Sequence, residues 1–343
     1  MRLRAASAVS AALLALSTLV ACGTRPPHPK FDAAADVNTS VVRSSTTGAP
    51  TTTSAPPATT LPVKASTPGA LAKAKAVQSP SGVVLTVLGH DGDAVEVLTP
   101  CENTVKISTA AAIVTPTVIL DAGHGGAEPG AVGPNGLAEK TVNLAVASQT
   151  KAALTRAGIS TLLTRTADYR MTLNARTRLV TALKPKAFVS IHHNSDPDGP
   201  HDGPGSETYY QVASNTAEQS KRLAGLIYEE VVTALRPYNV AWVGDTDAGA
   251  KYRQGSTGDD YYAVLRQTKG VVASLAELAF INNAPEADLL ARADVQQVEG
   301  EAVARGIVRY LTTGDPGSGF TQPYARSTPA GGGGKSNCTD PAL

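Results

Sequence analysis

From about residue 116 to 313 the chain alternates short apolar runs with helix-length stretches, and this rhythm restricts its fold more than any other feature. Thr117-Val118-Ile119-Leu120 reads as a strand. Residues 140–156 suit a helix, with Leu144, Ala147, Lys151 and Leu154 at helical spacing and Gly158 as its stop. Strands follow at 159–163, 187–191, 207–212 and 271–275, and helices at about 172–183, 215–235, 259–267 and 294–311. Such alternation predicts an α/β domain over 116–313, with a twisted, mostly parallel sheet flanked by helices. Aromatic residues make up only 4% of the 343, so Ala, Val, Leu and Ile must build the core.

The flanks read differently. Arg2 and Arg4 precede an uncharged Ala/Ser/Leu-rich stretch, the layout of a secretory signal peptide. A membrane-spanning helix is disfavoured, because residues 5–21 lie at the short limit for a span. Residues 23–75 include a Thr/Pro/Ser/Ala-rich run that cannot supply a core and is expected to be a disordered linker. About 50 such residues reach roughly 40 Å as a flexible coil. Residues 76–115 hold two strand-like runs, 83–88 and 94–98, separated by Gly89-His90-Asp91-Gly92-Asp93, which predicts a small β-hairpin element with His90 solvated in its turn. Residues 314–343 turn to Gly, Pro and Ser and read as a flexible tail. Thirty basic residues against 29 acidic ones give no field to attract nucleic acid. Two cysteines outside the signal segment, Cys101 and Cys338, are expected to pair in an oxidising compartment, tying the tail to the start of the folded region.

In open α/β sheets ligands bind beyond the carboxyl ends of the strands. The strand ending at Leu120 runs into Asp121-Ala122-Gly123-His124-Gly125-Gly126, that ending at Ile191 delivers His192-His193-Asn194, and that ending at Leu275 delivers Glu277. Glu139 stands at a helix start, where the helix dipole tolerates a carboxylate. Two imidazoles and a carboxylate suit a zinc site with an open position. A second carboxylate is then needed to take a proton from water and pass it to a leaving amine, and Glu277 is the candidate. Singly, each residue has a plainer reading: a loop histidine, a helix cap, a buried ion pair. The spacing is not a compact motif, so the signal is their convergence on one sheet edge.

These residues also resemble a family. Asp121-Ala122-Gly123-His124-Gly125-Gly126 through Pro129-Gly130-Ala131, then Gly136-Leu137-Ala138-Glu139-Lys140 and Asn143-Leu144, resemble the opening of the zinc-dependent N-acetylmuramoyl-L-alanine amidases, bacterial cell-wall enzymes. Leu163-Thr164-Arg165, Asp168, Ser190-Ile191-His192-His193-Asn194, Gly205-Ser206-Glu207-Thr208-Tyr209-Tyr210 and Ala276-Glu277-Leu278-Ala279-Phe280-Ile281-Asn282-Asn283 continue the series in order. The resemblance implies Zn²⁺ held by His124, Glu139 and His192, with Glu277 as acid/base. It also implies cleavage of the amide between the muramic acid lactyl group and L-Ala of peptidoglycan. Strand alternation allows only one of His192 and His193 to face the site, and the family pattern points to His192. Glu128 and Ala279 depart from the usual Asp and Gly, and Ala279 is expected to narrow the cleft slightly. Arg253 matches a family arginine only weakly and reads as solvated. No long helical insertion precedes Tyr261 as a plug, so activity is expected to be limited by localisation or by partners, none of which the sequence names.

Competing readings are another zinc hydrolase of peptidoglycan, a peptidase or deacetylase, and a non-catalytic wall-binding lipoprotein; the intact four-residue set argues against the last. Leu19-Val20-Ala21-Cys22-Gly23 resembles a lipobox, which implies a lipid on Cys22 and an exported protein held at the membrane, facing the wall. Cys22→Ala should then move the protein from the membrane fraction to the soluble fraction on cell fractionation, and retention in the membrane would overturn the anchor.

Overall fold

A computed structural model describes residues 65–195, 205–238, 248–321 and 334–343. The signal segment, Cys22 and the linker up to residue 64 lie outside the described residues. The first ordered element is a short helix, α1 (Pro68–Leu71), followed by β1 (Ala76–Gln78), β2 (Val84–Asp91), β3 (Ala94–Leu98), β4 (Thr104–Ile107) and β5 (Ala111–Ala112). The expected hairpin exists as β2–β3, but it is part of a five-stranded antiparallel sheet in the order β4-β3-β2-β1-β5. Its turn is shorter than expected, since Asp91 pairs with Ala94 and only Gly92 and Asp93 lie between; Gly92 takes the positive φ of 59°. The neighbouring strands are two to four residues long, too short to show a period in the sequence. The end of the expected linker is also ordered. Leu71 and Ala74 are buried among Val77, Leu85, Val95 and Val97, and Ser66 bonds to the backbone of Ala110 and Ala112.

The second sheet is built from β6 (Val118–Ala122), β7 (Thr161–Leu163), β8 (Ala187–Asn194), β9 (Glu207–Tyr210), β10 (Gly249–Lys251) and β11 (Ala273–Phe280), in the order β10-β9-β11-β8-β6-β7. All pairings are parallel except β9 with β11. Its helices are α2 (Glu139–Arg156), α3 (Leu173–Leu183), α4 (Ala217–Leu235), α5 (Ala263–Arg266), α6 (Ala284–Leu290) and α7 (Ala293–Thr312). Strand alternation splits the core in two. Leu120, Val189, Ile191 and Leu278 pack with Val142 and Val146 of α2, Leu223 and Ile227 of α4, and Val303 and Ile307 of α7. Ile119, Phe188, Tyr209 and Leu275 pack on the other face with Leu179 of α3, Val264 of α5, and Ala76, Val84 and Leu98 of the first sheet. The buried stripe of α2 runs through Val142, Val146 and Ala153 as well as Ala147 and Leu154, leaving the expected Leu144 and Lys151 at its margin. The reason is that α2 packs against both the sheet and α7, which widens its covered face.

The tail is not free where it is described. Phe320 bridges to Ala250 beside β10, and Cys338 forms a disulfide with Cys101 across 237 residues of sequence. The Asp340 carboxylate accepts hydrogen bonds from Thr99 Oγ1 (2.7 Å) and the Cys101 amide (2.8 Å). Gly, Pro and Ser allow a chain to stay flexible but do not prevent it from docking on specific partners.

Asn283 caps α6 by accepting from the Glu286 amide, while Glu286 reaches back to accept from the Phe280 amide (2.6 Å). Burial, partly offset by that bond, pushes the Glu286 carboxyl up to about 8. The folded state therefore binds this proton more tightly than the unfolded one. Its contribution is complete below pH about 4.5 and is lost as pH rises through about 8. Glu286→Gln keeps an acceptor without a charge, so its thermal midpoint should exceed that of the parent at pH 9 and match it at pH 5. Parallel melts at the two pH values check this.

Candidate metal centre

β6, β8 and β11 run parallel, so their carboxyl ends meet at one edge; β9 runs against them and brings its first residue to the same edge. Register sets Glu277 of β11 beside His192 of β8 and Glu207 of β9. Cross-strand neighbours share a face, which here is the face covered by α3 and α5. His193 points the opposite way, under α2 and α7, where its Nδ1 lies 2.7 Å from Asn143 Oδ1 and its Nε2 3.4 Å from Glu299.

His124 stands past the end of β6 with φ 61°, a strained backbone for a non-glycine residue. Glu139 is the first residue of α2. Its Oε2 lies 3.1 Å from His124 Nε2 and its Oε1 2.9 Å from His192 Nδ1. One ligand atom from each of the three falls within 4.8 Å of the others. The same carboxylate accepts from the amides of Ala131 (3.0 Å) and His193 (3.3 Å) and from Asn143 Nδ2 (3.2 Å), so its position is fixed from behind. A Cβ on Gly123 would meet the His192 ring at 2.2 Å, and one on Gly130 would meet Glu139 Oε2 at 2.5 Å. Glycine at both positions is therefore a condition for the three side chains to converge.

Three titrating groups share this space. Burial pushes the Glu139 carboxyl up, but its hydrogen bonds with His124 and His192 outweigh that and hold it well below the usual carboxylate range. Burial pulls His124 down, yet Glu128 and Glu139 lift it to about 9. Burial, with His124 as a like-charged neighbour, pulls His192 down despite Glu139. The cluster thus favours one positive charge beside one carboxylate, the condition a cation would also satisfy. Glu277 is displaced the other way: burial, then the negative charges of Glu139 and Glu207, push its carboxyl well above the usual range. Its Oε2 is buried without a hydrogen-bond partner.

Beside the set lies a cleft of about 230 Å³, lined by the polar side chains of Asp121, His124, His192 and Glu277 and by Met171, Leu173, Tyr262 and Val264. The family of this chain is now decided. Residues 118–309 match the family described as N-acetylmuramoyl-L-alanine amidase. The chain belongs to that family. The amidase is 36% identical over 213 residues to the uncharacterised protein YqiI of Bacillus subtilis, covering 62% of this chain and 91% of the relative. It is 34% identical to N-acetylmuramoyl-L-alanine amidase LytC of the same organism, over 61% of this chain and 39% of LytC. Among solved structures, an N-acetylmuramoyl-L-alanine amidase from Clostridium difficile 630 superposes with a TM-score of 0.50 at 25% identity, covering 58% of this chain and 98% of that one.

Two expectations about the amidase are corrected. Arg253 is not solvated: it is buried, its guanidinium lies 4.8 Å above the Tyr209 ring, and Nη1 donates to Tyr262 Oη at 2.9 Å. Ala279 does not narrow the cleft. The strand shifts register between Glu277 and Phe280, and Ala279 turns into the core beneath α2, α4 and α7. Residue-by-residue reading also missed Lys251, fully buried and ion-paired with Glu207, and Arg176, which reaches back from α3 to the His124 loop. A lysine in a three-residue strand and an arginine in an amphipathic helix carry no sequence signal of burial.

Gly123→Ala should displace the His192 ring. In equilibrium dialysis against a zinc salt the variant should take up far less of the ion than the parent, while the circular dichroism spectrum stays that of the parent.

Proposed function

We propose that this amidase is an exported, lipid-anchored zinc enzyme that hydrolyses the amide between the muramic acid lactyl group and L-Ala of peptidoglycan stem peptides. One observation carries the metal assignment: His124, Glu139 and His192 bring ligand atoms within 4.8 Å of one another, and both histidines line a cleft. Two imidazoles and a carboxylate are a donor set that suits zinc. The cradle left by Gly123 and Gly130 and the unpartnered Glu277 Oε2 fit the same reading. A bound zinc ion supplies Lewis acidity, polarising a carbonyl and making water acidic near pH 7.

The chain's own residues do the rest. Glu277 Oε2 takes the proton of the attacking water and passes it to the leaving amine of L-Ala, so the amide C–N bond breaks as the new C–O bond forms. Its Oε2 is buried and has no hydrogen-bond partner, so this oxygen is open to receive that proton. Met171, Leu173 and Val264 form an apolar wall that restricts water beside the reacting amide. Among the described residues no helix is long and apolar enough to cross a membrane. The Cys22 lipid, with the Thr/Pro-rich linker as tether, is the proposed membrane attachment.

The test is digestion of purified peptidoglycan followed by mass spectrometry. The parent protein should release stem peptides with a free L-Ala amino group, a chelator should abolish this, and added zinc should restore it. Glu277→Gln should keep its zinc and lose at least about 100-fold in rate, the scale of acid–base catalysis. Peptides still joined to glycan, or full activity in Glu277→Gln, would overturn the reading.

A further inference from the structure

The segment 334–343 reaches the metal centre through a series of contacts. Its anchor is the Cys101–Cys338 disulfide, with Asp340 bonded to Thr99, Cys101 and Asn103. Just upstream, two carbonyls of the segment meet Arg170: Gly334 O accepts from Nη2 at 2.7 Å and Ser336 O accepts from Nη1. The third edge of the same guanidinium, Nε, lies 3.2 Å from Glu128 Oε2. The other oxygen of Glu128 lies 3.5 Å from His124 Nδ1, while His124 Nε2 faces Glu139.

A histidine that ligates through one nitrogen is oriented by what its other nitrogen meets. Here that group is Glu128, a long side chain still 39% exposed, with considerable rotamer freedom to lose. At 3.5 Å it is too far from Nδ1 to hold its place by that contact alone. Arg170 is buried and supplies the missing constraint: Nη1 and Nη2 donate to two carbonyls, which fixes the guanidinium, and its charge stands in ion-pair range of the carboxylate through Nε.

We propose that Arg170 is a positioning residue for the metal centre, holding Glu128 against the outer nitrogen of His124, and that residues 334–336, tethered by the Cys101–Cys338 disulfide, in turn fix Arg170. The C-terminal segment is then a working part of the catalytic domain. A lysine at 170 would keep the charge and lose the fork. The inference rests on the zinc reading above.

The experiment measures zinc affinity of the full chain by competition with a chromophoric chelator, alongside the unfolding midpoint of each zinc-free variant. Arg170→Ala and Arg170→Lys should both weaken zinc about 10–100-fold, as loss of an outer partner of a ligating histidine does. Glu128→Gln should do the same, and Glu128→Gln with Arg170→Ala should be no weaker than Glu128→Gln alone. Cys338→Ser should give a smaller loss that disappears in the Arg170→Ala background. Since both cycles compare variants in a shared background, a change in unfolding midpoint does not imitate this pattern. Wild-type affinity in Arg170→Ala, or losses that multiply in the double variants, would overturn the proposal and leave the zinc reading standing. A parent chain that holds no zinc would overturn both.

Discussion

The buried ion pair between Asp121 and Arg176 is the constraint on which the sheet edge carrying the candidate site depends. Both residues are almost wholly enclosed, and Arg176 Nη1 reaches Asp121 Oδ1 at 2.5 Å. Burial would raise the Asp121 carboxyl, but Arg176, Thr164 and Ser190 together hold it below its ordinary value. The same guanidinium donates to the carbonyls of Ala122 and His124. Arg165 completes the arrangement by donating to Ala122, Gly123, Ala167 and Lys140. Two arginines thus satisfy the carbonyls of a loop that has left the sheet ladder, where unpaired backbone groups would be costly. Removing one partner of such a pair typically costs about 3–5 kcal/mol, because the other charge is left buried and unanswered. In this fold that cost falls on the segment that carries His124 at positive φ.

The site on this platform is a balance of like and opposite charges. Glu139 is held ionised between two imidazoles, while Glu277, beside His192 on the next strand, is pushed toward its protonated form by burial and by Glu139 and Glu207. Two neighbouring carboxylates are thereby driven to opposite protonation states, the asymmetry that the proposed ligand and proton-carrier roles require. Glu207 can stay near Glu277 because Lys251, Asn194 and Tyr209 surround it with donors. On the far side of the sheet, His193 and Asn143 brace the back of Glu139. The adjacent histidines therefore serve opposite faces of one strand.

Much of the domain was legible because its signals are local or periodic. The long helices and central strands stand where apolar spacing and glycine stops put them. The motif series pointed to His124, Glu139, His192 and Glu277, and tertiary structure brings the first three within ligand distance of one another. What was not legible lay in short or non-local elements. β1, β4 and β5 span two to four residues each, and a hairpin was all that periodicity could recover from a five-stranded sheet. The segment 334–343 has the composition of a loose tail, and its order comes from partners more than 160 residues away in sequence. Arg253 and Lys251 look like surface cations by residue type and become buried only because aromatic rings and carboxylates from other strands enclose them.

By itself the sequence determined the α/β alternation, the identity of the chemical groups and their delivery to one sheet edge, because strand length, strand alternation and helix periodicity act over a few residues. Tertiary structure decided which groups touch. It chose the face for each histidine, turned Ala279 away from the cleft, set Glu207 beside Glu277, and brought the C-terminal segment to Arg170. Those outcomes depend on register, on a strand irregularity and on a disulfide spanning 237 residues, and such long-range closures leave no local pattern in the chain.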